Sequence, residues 1–220
     1  MIDVSREESG VTIIRWHDGE NRFGTASVAR WHAVLDELET VDGPLALVIT
    51  GEGKFFSNGL DLEGFAADPA AAGAVVADVH RLLGRLLLFP AYTVAALNGH
   101  TFAAGAMVSC CVDARVMRAD RGYWCLPEVD LGLPLTPGMF AAVTARLNVA
   151  CAAEAMNTGR RYTADEAHSA GIVEHVADEA NVLPLAVELA AAVAGKDRSV
   201  IAEHKRLLFA DAARACGVDA

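Results

Sequence analysis

A glycine-containing segment that follows an apolar stretch at residues 45–50 could bring backbone amides close to a ligand. Residues 54–62 have the sequence KFFSNGLDL. Gly59 allows the backbone to approach a ligand closely, and the side chain of Asp61 can hold neighbouring amides in place. Amides held in this way would stabilise a bound negative charge. Considered alone, the segment fits an ordinary glycine turn after a buried strand equally well.

A second segment of small residues could supply another amide donor. Residues 98–107 have the sequence NGHTFAAGAM and are typical of a turn that opens a helix. The first N–H groups of a helix have no partner within it, and they lie at the positive end of the helix dipole. They therefore suit a developing oxyanion. Loss of one donor from a pair that forms an oxyanion hole typically costs roughly 100-fold to 1000-fold in rate.

The third segment, LPEVDLGLP at residues 126–134, contributes a carboxylate. Glu128 has apolar neighbours such as Leu126 and Leu133, and a pocket between them would desolvate it. Desolvation disfavours the charged form of a carboxyl group and makes it a stronger base. A single glutamate after a proline is more often a solvated residue. Asp130, two positions further on, is an alternative carboxylate.

The histidines and cysteines show no metal-ligand or redox pattern. None of the seven histidines has the spacing of a metal site, and the five cysteines contain no Cys-x-x-Cys motif. Cys125 and Cys151 fit packing positions better than nucleophiles, because no histidine lies near either of them in sequence. His100 fits a supporting role in the turn at Asn98 and Gly99. We therefore expect no metal.

The composition describes an acidic chain with enough apolar residues for one substantial core. Of its 220 residues 53% are apolar, and 18 Lys and Arg stand against 29 Asp and Glu, for a net charge of −11. We expect a single domain over residues 1–220, because this length lies within the usual domain size. We expect no nucleic-acid partner, because a phosphate backbone requires clustered positive charge.

The N-terminal residues argue against export and membrane insertion. The sequence MIDVSREESG carries charges where a signal peptide would be apolar. Nowhere does the chain contain the uninterrupted stretch of about 18 apolar residues that a membrane span needs. The cysteines are typical of small core residues in a reducing compartment. We therefore expect a cytoplasmic protein without a membrane partner.

Strand and helix patterns alternate along the first half of the chain. Short β-branched or apolar runs predict strands at residues 11–16, 45–50, 93–97 and 114–117. Helices are predicted at residues 25–38, 69–89, 103–111, 136–147, 150–158, 163–170, 182–194 and 200–213. Such alternation predicts right-handed crossovers and an α/β layered fold. This class hosts many chemistries, so the function must be argued from the site.

In order and spacing, the three segments resemble the motifs of the crotonase superfamily, also called the enoyl-CoA hydratase/isomerase family. The resemblance covers about residues 11–217. It implies an α/β fold with a crotonase-like ββα spiral core at about residues 1–180 and a C-terminal helical trimerisation region at about residues 181–220. The assembly that it implies is a homotrimer or a dimer of trimers.

The resemblance also implies roles for individual residues. The backbone N–H groups of Leu60 and Ala104 correspond to an oxyanion hole, and Glu128 corresponds to a catalytic carboxylate. The implied substrate-binding residues are Ser57, Asn58, Gly59, Leu60, Asp61, Gly105 and Leu133. The implied partner is an acyl-CoA thioester, and CoA enters as part of this substrate, so no separate cofactor is expected. Lys205 and Phe209 are expected to contact the nucleotide end of CoA.

Two departures from the family pattern narrow the reaction that the resemblance implies. Ala103 and Ala104 stand where many relatives have glycine, and Met107 stands where the hydratases carry the first of two catalytic glutamates. Methionine can neither position water nor transfer a proton. With Glu128 as the single acid, the chain looks like the isomerases of fatty-acid oxidation that move a 3-enoyl-CoA double bond to the 2 position.

Two other functions remain open from the sequence. A hydratase-like or thioester-hydrolysing enzyme of the same fold would use Glu128 and a water molecule, and its products would distinguish it from an isomerase. A catalytically silent CoA-binding assembly subunit would keep the fold without turnover. For such a subunit, the change Glu128→Gln would alter nothing measurable.

Overall fold

Six strands form the larger of two sheets in the computed structural model, which describes residues 1–219. In chain order, the strands of both sheets are β1 (Ile2–Arg6), β2 (Val11–Trp16), β3 (Ala46–Gly51), β4 (Phe55–Ser57), β5 (Tyr92–Leu97), β6 (His100–Phe102), β7 (Ala114–Arg118), β8 (Trp124–Cys125) and β9 (His175–Ala177). The larger sheet has the order β1-β2-β3-β5-β7-β9. β1 and β2 pair antiparallel, and all later neighbours pair in parallel.

Helices connect the strands and make up most of the second half of the chain. They are α1 (Thr25–Glu39), α2 (Leu62–Ala67), α3 (Pro69–Leu88), α4 (Ala104–Ser109), α5 (Glu128–Leu131), α6 (Pro137–Thr144), α7 (Val149–Thr158), α8 (Ala164–Ser169), α9 (Val182–Ala191) and α10 (Arg198–Ala215). No helix within residues 1–219 is both long enough and apolar enough to span a bilayer.

Capping residues fix where several helices begin. Asp68 accepts the N–H of Ala71, and Pro69 occupies the first turn of α3, where a missing N–H costs nothing. Thr163 and Glu166 form a capping box at the start of α8, in which each side chain accepts the other residue's backbone N–H.

The inner strands of the larger sheet, β2, β3, β5 and β7, are buried on both faces, which explains the continuous apolar sequence of β3. All six residues of β3 are buried. Leu47 and Ile49 belong to the main hydrophobic core that helices α1 and α3 share, whereas Val48 packs with residues of α9 such as Ala186. The alternation of side chains along the strand thus divides the core into two layers.

The smaller sheet positions the three segments that the sequence singled out. Its order is β4-β6-β8, and both pairs of strands are parallel. Because parallel strands end at the same edge, the chain leaves β4, β6 and β8 on one side. Asn58, Ala103 and Leu126 follow these three strands directly. Short stretches of chain far apart in sequence therefore converge at one edge.

The predicted α/β class and its main elements are confirmed. The four predicted strands correspond to β2, β3, β5 and β7, with boundaries that differ by at most one residue. The eight predicted helices correspond to α1, α3, α4 and α6 to α10, with boundaries within three residues. The sequence did not predict β1, β4, β6, β8, β9, α2 and α5, because segments of two to six residues show too little periodicity.

Candidate active site

A cavity of about 540 Å³ lies at the carboxyl edge of the smaller sheet, where helices α2, α3, α5 and α6 complete the walls. Its lining combines a polar rim with an apolar interior. The lining residues are Arg22, Asn58, Leu60, Leu62, Glu63, Phe65, Val76, Phe102, Ala103, Ala104, Met107, Pro127, Glu128, Leu131, Leu133, Pro134, Thr136 and Met139. The cavity thus brings together Asn58, Leu60, Ala104, Glu128 and Leu133 from the set that the sequence predicted.

The amide of Leu60 is free because its neighbours form the local hydrogen bonds. Leu60 pairs with Phe23 in an isolated parallel bridge. The Phe23 N–H donates to the oxygen of Gly59 at 2.8 Å, and the Asp61 N–H donates to the oxygen of Phe23 at 3.0 Å. In such a bridge the peptide groups of Leu60 point away from the partner strand. Within residues 1–219 the Leu60 N–H has no acceptor, so it is available to a ligand.

The amide of Ala104 is free for a different reason. Ala104 is the first residue of α4, and the first N–H groups of a helix have no intrahelical acceptor. In the part of the chain that the structure describes, no other acceptor is bonded to this N–H. The residue itself is buried and lines the cavity. A ligand atom in the cavity can therefore accept its hydrogen bond.

Close packing joins the two segments that carry these amides. A Cβ atom on Gly59 would lie 2.6 Å from the Cβ of Ala103, and a Cβ on Gly105 would lie 2.6 Å from the Cβ of Ser57. Real Cβ atoms do not approach so closely, so both positions need glycine. Gly59 and Gly105 thus allow the two segments to touch, and neither lines the cavity wall.

Ser57 and Asp61 also lie behind the cavity and do not line it. The buried hydroxyl of Ser57 donates to the backbone oxygen of Asn21 at 2.7 Å and accepts the N–H of Gly59 at 3.2 Å. The carboxylate of Asp61 caps α2 and accepts the N–H of Gly64 at 3.1 Å. Of the predicted substrate-binding residues, these two and the two glycines hold the first amide segment in shape.

Glu128 is a half-buried carboxyl group that lines the cavity. Desolvation by burial raises its pKa to about 7. Its Oε2 atom is buried and has no hydrogen-bond partner within the described residues. A carboxyl group in this state can exchange a proton near neutral pH. The alternative, Asp130, is exposed and does not line the cavity.

The rest of the interior is apolar. Met107 is buried in the wall, on the helix that starts with Ala104. Phe65, Val76 and Met139 come from three different helices and form further parts of the wall. An alkyl chain fits this lining, and methionine at position 107 offers no group for proton transfer.

One polar side chain of the cavity wall, that of Thr136, is paired with a histidine behind the wall. The hydroxyl of Thr136 lies 2.8 Å from Nε2 of His80, and the same hydroxyl caps α6 by accepting the N–H of Met139. Burial lowers the pKa of His80, so the imidazole is neutral at pH 7. Sequence reasoning missed this pair because His80 on α3 and Thr136, the cap of α6, are 56 positions apart in the chain.

Apart from Asn58, the residues of the polar rim were also missed. Arg22 lies at the cavity and forms ion pairs with Glu20 at 2.7 Å and Glu63 at 3.2 Å. Asn58 donates to the carboxylate of Glu20 at 2.7 Å. These hydrogen bonds raise the pKa of Arg22 and lower the pKa of Glu20. A polar loop directly after a predicted strand was the signal that could have identified the rim.

The structure buries Lys205 and Phe209 outside the lining of the cavity. Only 4% of Lys205 and 7% of Phe209 is exposed. The ammonium group of Lys205 lies 2.6 Å from the carboxylate of Asp113 and donates to the oxygen of Ala91 at 2.8 Å. The expectation that these two residues contact the nucleotide end of CoA is therefore wrong. Both residues lie on the buried face of α10, which the sequence pattern alone did not identify.

The thiols are not nucleophiles in this arrangement. All five cysteines are free and buried. Burial raises the pKa of Cys125 to about 11 and also raises the pKa of Cys151, so both are protonated at neutral pH. Among residues 1–219, no cluster of three or more His, Cys, Asp or Glu side chains could hold a metal ion.

Comparison with known proteins gives consistent matches over nearly the whole chain. The profile of the family described as enoyl-CoA hydratase/isomerase matches residues 6–216. Enoyl-CoA delta isomerase 3 of Arabidopsis thaliana is 33% identical over 210 residues, which cover 90% of this chain and 87% of that protein. A putative enoyl-CoA hydratase of Thermus thermophilus is 31% identical over 218 residues, which cover 96% of this chain and 84% of that protein.

A solved structure shows the same architecture. The apo structure of an enoyl-CoA isomerase from Mycobacterium tuberculosis superposes with a TM-score of 0.88 at 28% identity. The superposition covers 98% of this chain and 94% of that one. The similarity therefore extends over both the sheet region and the C-terminal helices.

Proposed function

This chain belongs to the enoyl-CoA hydratase/isomerase family, and on that premise we propose that it is an isomerase that moves a 3-enoyl-CoA double bond to the 2 position in fatty-acid oxidation. The family and the crotonase-like α/β fold are the same for hydratases and isomerases, so the proposal rests on the cavity. One observation carries it: Glu128 is a half-buried carboxyl group in the cavity with a raised pKa, and Met107, which cannot transfer a proton, lines the same cavity.

In the first step, the thioester oxygen accepts the N–H groups of Leu60 and Ala104. Glu128 takes a proton from C2, and the C2–H bonding electrons delocalise through the conjugated system onto that oxygen. The product is a dienolate whose negative charge lies near the two amides. Preorganised hydrogen-bond donors that stabilise the developing charge usually make the largest single contribution to the rate enhancement of such reactions.

In the second step, the protonated Glu128 returns the same proton to C4. A new C4–H bond forms, the C3–C4 double bond becomes single, and C2 and C3 become doubly bonded in conjugation with the thioester. The carboxylate is regenerated, so no external acid or base is consumed. A pKa of about 7 suits both steps, since the group must accept and release a proton at similar cost.

The lining of the cavity favours isomerisation over hydration. Addition of water to a 2-enoyl-CoA needs a water molecule that is held and activated at C3. The buried methionine at position 107 offers no hydrogen bond to such a water, and the nearby wall from Phe65 and Val76 is apolar. The dienolate is therefore protonated by Glu128, and the conjugated 2-enoyl-CoA that results meets no water held by residue 107 for addition at C3.

The test is the identity of the product. A 3-enoyl-CoA is incubated with the enzyme, and formation of the conjugated 2-enoyl-CoA is followed by ultraviolet absorbance. Hydration of a 2-enoyl-CoA and release of free CoA are measured in parallel. We expect isomerisation with little hydration or hydrolysis. Hydration or hydrolysis without isomerisation would replace the proposed reaction, and CoA binding without any turnover would favour a silent assembly subunit.

We also propose that the chain assembles with copies of itself as a homotrimer or a dimer of trimers. Several large apolar side chains are exposed in the single chain, among them Val149 at 85% and Leu208 at 71%. Exposed apolar side chains that lie together, as Leu207 and Leu208 do on α10, mark interaction surfaces more often than single ones do. Light scattering on the purified protein measures the number of copies directly.

We propose further that the protein acts in the cytoplasm. The free, buried cysteines support this proposal, because thiols stay reduced in that compartment.

A further inference from the structure

Ala103 has a backbone conformation that alanine rarely adopts. Its φ is 50° and its ψ is −123°. Among the non-glycine residues that the structure describes, only Asn21 and Ala103 have positive φ. The Cβ atom makes this region unfavourable, and residues held there are kept in place by their surroundings.

Hydrogen bonds on both sides of Ala103 hold it in this conformation. Its N–H donates to the oxygen of Cys125 at 3.1 Å, which continues the pairing of β6 with β8. Its oxygen accepts the N–H of Met107 at 3.0 Å, which forms the first turn of α4. The residue therefore makes the whole change of direction from strand to helix, and the next amide is the free N–H of Ala104.

The methyl group of Ala103 also contacts the other donor segment. Gly59 faces it so closely that a Cβ at position 59 would lie 2.6 Å from the Ala103 Cβ and 3.3 Å from the Ala104 nitrogen. Gly59 immediately precedes Leu60, and Ala103 immediately precedes Ala104. The contact thus lies one residue before each of the two free amides.

We propose that Ala103 is a positioning residue whose methyl group, packed against Gly59, sets the spacing between the Leu60 and Ala104 amides. Its catalytic consequence rests on the proposed function. Loss of the methyl group would relieve an unfavourable conformation and at the same time remove the spacer between the donor segments. Stability and turnover should therefore change in opposite directions, which a residue with a purely structural role would not produce.

The test is the variant Ala103→Gly, compared with Ala106→Gly as a matched control. Ala106 lies buried on the same short helix, does not line the cavity and has no positive φ. We expect Ala103→Gly to raise the melting temperature by about 2–4 °C, since glycine tolerates this φ. We expect its kcat to fall about 10-fold with KM nearly unchanged, because small errors in donor placement reduce catalysis strongly.

The control should show the opposite change in stability and no change in kcat. Ala106→Gly places glycine inside a helix and should lower the melting temperature while kcat stays close to that of the wild type. Unchanged kcat in Ala103→Gly would overturn the proposal. An equal loss of kcat in both variants would also overturn it, because the effect would then be a general response of the helix.

A binding measurement separates this inference from the proposed reaction. Acetoacetyl-CoA ionises to an enolate whose ultraviolet absorbance reports how well the two amides hold the charge, and no turnover is needed. We expect less bound enolate at a given pH in Ala103→Gly than in the wild type. Wild-type protein that forms the enolate but isomerises nothing would refute the reaction and leave the positioning role in place. Equal enolate in both proteins would refute the positioning role.

A double-mutant cycle tests the contact itself. Gly59→Ala should lower both stability and kcat, because its methyl group collides with that of Ala103. In the Ala103→Gly background the nearest remaining contacts of the new methyl group are at 3.3 Å, so the same change should cost less. The penalty for positive φ at position 59 is common to both backgrounds and cancels. Strictly additive effects would mean that the two residues are not coupled.

Discussion

The hydroxyl of Ser57 donates a 2.7 Å hydrogen bond to the backbone oxygen of Asn21, and this bond joins the loop after β2 to the segment that carries the Leu60 amide. Asn21 is completely buried and has a φ of 53°. Its side-chain amide donates to the backbone oxygens of Trp16, Phe55 and Phe56 at 2.9, 3.2 and 3.1 Å. One side chain thus holds the end of β4 in the shape that the active site needs.

Replacement of Asn21 should be among the most destabilising changes in this region. Asn21→Ala removes the donor to three buried oxygens and places alanine at positive φ, so we expect a loss of about 2–4 kcal/mol in the free energy of unfolding. Asn21→Gly removes the same hydrogen bonds but tolerates the φ value, so its loss should be smaller by about 0.5–1 kcal/mol. Urea denaturation measures both losses, and equal losses would show that the backbone conformation has no energetic importance here.

Loss of the carboxyl group at position 128 should abolish most of the isomerisation. Glu128→Gln keeps the shape of the side chain but cannot take a proton from C2, so we expect kcat to fall by roughly 100-fold or more. The control is Asp130→Asn, which removes an exposed carboxylate outside the cavity and should leave kcat within about 2-fold, because exposed substitutions rarely have large effects. A large loss of kcat in Asp130→Asn, with no loss in Glu128→Gln, would show that Asp130 and not Glu128 transfers the proton.

The rate should depend on pH through Glu128. Burial raises the pKa of this group to about 7, and the reaction begins with its deprotonated form. Below pH 7, kcat/KM should therefore rise about 10-fold per pH unit and then level off above pH 7. Steady-state rates between about pH 5.5 and 8.5 test this expectation. A carboxyl group with an ordinary pKa would show no step in this range. The residual activity of Glu128→Gln should lack the step.

The same group should make stability depend on pH. Its pKa is about 7 in the folded protein against an ordinary value of 4.5, so the folded state binds the proton more tightly than the unfolded state. The contribution of protonated Glu128 to the stability of the folded state is complete below pH 4.5, decreases as the pH rises, and is lost above pH 7. The melting temperature of Glu128→Gln minus that of the wild type should therefore increase between pH 5 and pH 8. A constant difference would mean that Glu128 titrates normally.

The donors and the carboxyl group of the site could be predicted because three sequence segments resemble family motifs, and that resemblance implied the roles of individual residues. Leu60, Ala104 and Glu128 were predicted in this way, and the cavity contains all three. The framework around them could not be predicted. Asn21 acts through hydrogen bonds to two backbone oxygens of β4, more than 30 positions away, and such pairings leave no periodic signal in the sequence.

The C-terminal helix shows the same limit for a charged residue. Lysine in an amphipathic helix is normally assigned to the exposed face, since burial of its charge is costly. Here Asp113, held by the Thr93 N–H at 2.8 Å and the Thr93 hydroxyl at 3.0 Å, supplies the partner that makes the burial of Lys205 possible. Only the three-dimensional arrangement brings these residues together, so the pattern of α10 alone could not identify the pair.

Removal of Lys205 should test whether this pair anchors α10 to the sheet. Lys205→Met keeps the length of the side chain but leaves the carboxylate of Asp113 buried without its cation, so we expect a loss of about 3–5 kcal/mol in unfolding free energy. KM for the acyl-CoA should not change, because Lys205 is buried away from the cavity. The control Lys196→Met removes an exposed lysine without an ion pair in the described chain and should change stability by less than about 0.5 kcal/mol.

The double variant Lys205→Met, Asp113→Asn separates the buried charge from the lost packing. Asparagine can still accept the Thr93 N–H through its oxygen, and it carries no charge that needs a partner. We therefore expect the double variant to be more stable than Lys205→Met alone, since an uncompensated buried charge is the larger cost. If Lys205→Met instead raised KM strongly while stability stayed at the wild-type level, Lys205 would contact the substrate after all, and the burial of its side chain would have to be incomplete in solution.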